Sequence, residues 1–149
     1  GHGEVELGSE EDKDKAKEAL EKDRENLGVL LSAMQSALAD RVKEVRLSSR
    51  LKSSPSCLVL EEGDLTPQLE AMLRQAGQEI PARQPILELN PGHPVVEALA
   101  RRFETDATDP KIAKAARLLL GQATLAEGGQ LEDPAAFGEL VTELMEETL

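Results

Sequence analysis

Ile86-Leu87-Glu88-Leu89-Asn90-Pro91-Gly92-His93-Pro94 decides the fold. Its first four residues, three of them large and apolar, read as a short strand. The strand cannot continue through Pro91 and Pro94, because proline lacks a backbone N–H and restrains the residue before it. The chain therefore turns sharply, and Val96, Leu99, Ala100 and Phe103 then recur at helical spacing. A strand handed straight to a helix is the pattern of a chain that mixes both elements.

Toward the N-terminus the period alternates again. Leu65 to Ala76 reads as a helix, with Pro67 harmless in its first turn and Gly77 as its stop. Asp64, ending the loop Glu61-Glu62-Gly63-Asp64, is a suitable cap for it. The segment Gln78–Pro85 holds two prolines and is irregular. Cys57-Leu58-Val59-Leu60 is a fully apolar run, which predicts a central strand. Val45, Leu47, Ser49 and Leu51 alternate with Arg46, Ser48 and Arg50, a strand with one polar face. Before it, Leu20, Leu27, Leu31, Met34 and Leu38 are spaced 7, 4, 3 and 4, a helix with one buried stripe. Its first part, Asp12–Arg24, is a solvated run of charge that Ser9 can cap. Gly1–Gly8 reads as a disordered lead or expression remnant.

Toward the C-terminus, Thr105–Asp109 is a break, and two helices follow. Lys111–Glu127 carries Ile112, Ala116, Leu119, Ala123 and Ala126, and Leu118, Leu120 and Leu125 widen its apolar surface. Gly128-Gly129 ends it. Asp133 caps the last helix with Pro134 in its first position, and its stripe is Phe137, Leu140, Val141, Leu144 and Leu149, with Met145 beside it. The order is α+β: a long N-terminal helix, a small three-stranded sheet with an amphipathic helix, then a three-helix C-terminal portion.

The chain has 149 residues, 17 Lys plus Arg against 29 Asp plus Glu, and a net charge of −12. That balance argues against nucleic acid and anionic membrane surfaces, whose binding needs a basic face. Two Phe and no Tyr or Trp leave no platform for stacking bases or a flat cofactor. One cysteine, Cys57, excludes an internal disulfide framework and a multi-cysteine zinc site. No transmembrane segment or signal peptide is legible, so a cytoplasmic location is expected. Glycine-rich phosphate loops and hydrolase elbows are absent from the sequence. Cys57, His93 and Asn90 make a thiol triad on paper only; a small thiol in an apolar strand and a histidine in a turn are the better reading. The acidic clusters Glu10–Asp12 and Glu143, Glu146, Glu147 lack a calcium-loop pattern and read as solvated helical faces.

Two features exceed an ordinary core. The last two helices are apolar over more than one side, which fits either a partner or a purely internal helical subdomain. Leu65, Leu69, Met72 and Leu73 fall at i, i+4, i+7 and i+8 on one helical face, which fits either packing on the sheet or a surface offered to other proteins.

The residues now described carry a resemblance. Leu38-Ala39-Asp40-Arg41-Val42-Lys43-Glu44-Val45-Arg46-Leu47 with Arg50-Leu51, Ser54-Pro55-Ser56-Cys57-Leu58-Val59, Ala76-Gly77-Gln78, the stretch Ile86 to Val95, Leu118-Leu119-Leu120 through Glu127, and Leu131-Glu132-Asp133-Pro134 through Phe137 resemble the C-terminal dimerisation domain of the heat-shock protein 90 chaperones, bacterial HtpG type. The resemblance covers roughly residues 10–149. It implies a homodimerisation domain over 9–149, with a leading helix over 9–40, an α/β part over 41–104 and dimerisation helices over 105–149. Two copies would join in a four-helix bundle through Ile112, Ala116, Leu119, Leu120, Ala123, Phe137, Leu140, Val141, Leu144 and Met145. Leu65, Leu69, Met72 and Leu73 would contact unfolded or partly folded client proteins. No cofactor and no enzymatic activity are expected of this piece, because the family's ATP and magnesium belong to a separate N-terminal domain. The family's tetratricopeptide-docking tail is not matched by Met145-Glu146-Glu147-Thr148-Leu149. The alternative is a free-standing acidic dimeric adaptor module.

Overall fold

The structure, a computed structural model, describes residues 10–49, 53–61, 65–80 and 84–149, with side chains described from residue 24 onward except at position 40. The expected lead 1–8, the Ser9 cap, the strand residues Arg50 and Leu51 and the Asp64 cap lie outside the described residues. Helix α1 spans Glu10–Leu38 and ends in a 3-10 turn, Ala39–Arg41. Strands β1 (Glu44–Leu47) and β2 (Ser56–Val59), helix α2 (Pro67–Gln75), strand β3 (Ile86–Leu89) and helices α3 (Pro94–Thr105), α4 (Pro110–Ala126) and α5 (Pro134–Thr148) follow.

The sheet order is β1-β3-β2. β3 pairs in parallel with β1 and antiparallel with β2, so Val45 and Leu58 both stand opposite Leu87. The apolar run of β2 therefore lies at an edge, not at the centre as its composition predicted. Centrality belongs to β3, whose Ile86, Leu87 and Leu89 are all buried. What makes β2 apolar is the helix laid on it: α4 packs along β2 and against α1. Ser56, itself buried, donates its hydroxyl to the Leu119 carbonyl at 2.9 Å and ties the strand to the middle of α4. Cys57 is only partly buried; its neighbour on the outer face is Glu88, which Arg46 grips from β1 at 2.8 Å. Val45, at the outer edge of β1, donates its N–H to the Gln35 side chain of α1.

The core gathers Leu30, Met34 and Leu38 of α1, Val42, the inner sheet residues, Val96 and Leu99 of α3, and Ile112, Ala116, Leu119, Leu120 and Ala123 of α4. Leu30, absent from the stripe read above, is fully enclosed, while Leu27 and Leu31 flank it half-buried. Stripe residues one turn apart, Leu30, Met34 and Leu38, point the helix at the sheet.

The last four helices share one start. Thr66, His93, Asp109 and Asp133 each precede a proline and accept a hydrogen bond from a backbone N–H of the first turn. Thus α2 begins at Pro67 with Thr66 as its cap, two residues after the expected start. Its end and that of α4 are alike as well. Gly77 and Gly128 take φ of +82° and +78°, and the N–H groups of Gly77 and Gln78, or of Gly128 and Gly129, close back on the last-turn carbonyls. Ala39 also takes a positive φ, 42°, at the bend from α1 to β1. That conformation costs a residue with a Cβ roughly 1 kcal/mol and is held by buried Leu38 and Val42 on either side.

Candidate interaction surfaces

The helices α4 and α5 form an antiparallel hairpin. Across it the Phe137 ring lies over Gly121, and Lys114 and Lys111 of α4 pair with Glu143 and Glu147 of α5 at 3.0 and 3.1 Å. Exposed ion pairs of this kind contribute at most about 1 kcal/mol each. None of the residues of α5 is buried. An apolar helix docked this lightly keeps much of its stripe in water. Phe137, Leu140 and Val141 are half-buried, whereas Leu144 and Met145 remain 52% and 49% exposed.

The ten residues expected at a dimer interface thus divide. Ile112, Ala116, Leu119, Leu120 and Ala123 are enclosed by α1, β2 and the rest of their own chain. One side of α4 is taken up by the chain itself, because α4 is the main cover of the sheet. A side chain already enclosed has almost no surface left for a second copy, so these five are core. Phe137, Leu140, Val141, Leu144 and Met145 keep surface to give. Sequence reading missed Val95, on α3, which is exposed beside Leu144. These two residues, with Ala98, Leu99, Ala115, Leu118 and Leu140, line a groove of about 540 Å3 between α3, α4 and α5. On the other flank of α5, a second cleft of about 570 Å3 runs between α4–α5 and α2. Leu140 lines both, so α5 stands as a ridge between two grooves.

At the mouth of the first groove, Asp109 accepts from the Lys111 N–H at 2.9 Å and from the Arg102 guanidinium at 3.0 Å. The backbone hydrogen bond first, and Arg102 second, hold its carboxyl below the ordinary carboxylate range.

Helix α2 turns Pro67, Glu70 and Ala71 inward. Pro67 stands so near Gly129 that a Cβ there would lie 2.7 Å from the proline Cβ. Leu69 and Met72 face outward, 41% and 59% exposed, and Leu65 and Leu73 are half-buried. The paper triad does not assemble: Cys57 faces Glu88, His93 caps α3, and Asn90 accepts from the Gly92 N–H within the turn. Among the described residues, no helix is long and apolar enough to cross a membrane, and no group of three or more His, Cys, Asp or Glu side chains is placed to hold a metal.

The sequence profile of the family described as Hsp90 protein matches residues 2–149. The chain belongs to the Hsp90 family. Its Hsp90 relatives include the chaperone protein HtpG of Mycobacterium bovis (strain BCG / Pasteur 1173P2), 47% identical over 149 residues, which are 99% of this chain and 23% of that protein. HtpG of Mycobacterium avium (strain 104) is 44% identical over 147 residues, 99% of this chain and 22% of that protein. HtpG of Rhodococcus jostii (strain RHA1) is also 44% identical over 147 residues, 99% and 23% of the two chains. The chain thus spans less than a quarter of the length of these Hsp90 relatives, and the match takes in α1 through α5 with both surfaces described above.

Proposed function

We propose that this chain is the homodimerisation and client-contact domain of a bacterial-type, cytoplasmic Hsp90 chaperone. The observation that carries the reading is α5: a helix with an apolar stripe and no buried residue. A soluble protein keeps such a stripe where something covers it. A second copy is the occupant, its α5 lying against this one so that Val141, Leu144 and Met145 meet their counterparts across a two-fold axis. The joint is mechanical. It holds the two longer chains together, so that closure of their ATP-binding arms becomes an intramolecular event at high effective concentration. ATP and magnesium belong, on this reading, to sequence outside this piece. Unfolded or partly folded clients meet the outward face of α2, where Leu69 and Met72 offer flexible apolar surface.

Sedimentation velocity over a dilution series tests the joint. The wild-type chain is expected at twice its monomer mass at micromolar concentration. Leu144→Glu with Met145→Glu is expected to give folded monomers, because each buried apolar side chain is worth about 1.5–3 kcal/mol and two-fold symmetry doubles the loss. Leu119→Glu is not a clean test, since Leu119 is in the core. A wild-type chain that stays monomeric overturns the reading.

A further inference from the structure

Gly121 sits in the interior of α4 and is buried. An interior helical glycine is less favourable than alanine, so its presence calls for a reason. The reason lies across the hairpin. A Cβ on Gly121 would fall 2.5 Å from Cε2 and 2.6 Å from Cδ2 of Phe137, and 3.5 Å from Cδ2 of Leu131. The missing methyl is thus a notch, and the edge of the Phe137 ring fills it. The two exposed ion pairs lie farther along the hairpin, toward the start of α4 and the end of α5. Ion pairs between long side chains restrain a helix loosely; a ring seated in a backbone notch restrains its rotation.

We infer that Gly121 is a positioning residue for self-association: its notch seats Phe137, and that seat sets which arc of α5 faces a second copy. This rests on the dimer reading given above. With the ring seated, Leu140 lines both grooves, and Val141, Leu144 and Met145, which follow Phe137 at i+4, i+7 and i+8 along the same side of the helix, keep their exposed surface farther along it. A methyl at position 121 pushes the ring out. The α5 helix then rolls or lifts, and the stripe presented to the partner no longer matches its mate.

The test compares wild type, Gly121→Ala, and Gly121→Ala combined with Phe137→Leu, a shorter branched side chain that can rotate away from the new methyl. Sedimentation velocity over a dilution series gives the dimer dissociation constant, and circular dichroism reports folding. Gly121→Ala is expected to weaken the dimer by roughly tenfold or more, as overpacking does, while helix and strand signals remain. The double variant is expected to return to within about threefold of wild type. A Gly121→Ala chain that dimerises like wild type overturns the inference while leaving the dimer intact. A double variant that does not recover overturns it too, whether or not the single variant folds. A wild-type chain that is monomeric at every concentration removes the dimer itself and this role with it.

Discussion

Asp109 carries two duties on one carboxylate. Its Oδ1 takes the Lys111 N–H that opens α4, and its Oδ2 takes the Arg102 guanidinium from the last turn of α3. Both bonds favour the charged form, which is why its folded-state pKa is depressed. A group whose pKa is lower folded than unfolded stabilises the fold above the unfolded value, and that contribution is lost as pH falls through about 4 and below. Asp109→Asn keeps a capping oxygen and loses the charge. Its melting temperature is expected below that of wild type at pH 7, with the gap closing toward pH 3. Paired thermal melts across that range measure it, and a gap that does not change with pH counts against the role. Acidification protonates every other carboxylate in both proteins alike, so the difference isolates this one.

Helix α2 inverts the usual arrangement: it anchors through a proline, an alanine and a carboxylate, and leaves Leu69 and Met72 in water. Leu69→Ser with Met72→Ser is therefore expected to leave the melting temperature nearly unchanged, since exposed substitutions fall within about ±0.5 kcal/mol. The same pair is expected to weaken capture of a partly unfolded substrate by the full-length chaperone. A large fall in melting temperature would put this face in the core. Spacing made it legible that Leu69, Met72 and Leu73 share a side, because side chains three and four apart lie above one another, whereas Leu65 precedes the Thr66 cap and stands outside the helix. Which way that side points was not legible, since periodicity is the same whether a stripe meets its own chain or water. The same blindness affects α4. Its wide apolar surface was read correctly as two-sided, yet one side is the chain's own core, and Ile112, Ala116, Leu119, Leu120 and Ala123 look no different in sequence from interface residues. Strand order was hidden for a related reason, because β2 is as apolar at the edge as β3 is at the centre. The helix starts were open to reading, and Asp109-Pro110 repeats the signal recognised at Asp133-Pro134. Gly121 left no trace, because its meaning lies in a ring sixteen positions away.

Across the whole molecule, stability is unevenly shared. The described core joins α1, the sheet, α3 and α4, and α5 stands outside it with none of its residues buried. The helix also holds Glu139, Glu143, Glu146 and Glu147 with no Lys or Arg of its own, and Lys111 and Lys114 meet only two of the four. Such an element is kept in place by whatever covers its outer stripe. When that cover is another copy of the chain, each molecule acts as a ligand for the next, and amount enters the folding equilibrium as a ligand's amount would. A tenfold increase in protein is then worth about 1.4 kcal/mol per pair, or roughly 2 °C in melting temperature for two chains of this size. Scanning calorimetry at several loadings is expected to show that climb, and melting at a fixed temperature throughout would mean that α5 is held by its own chain alone. For a protein built this way, resistance to heat would rise with its own abundance.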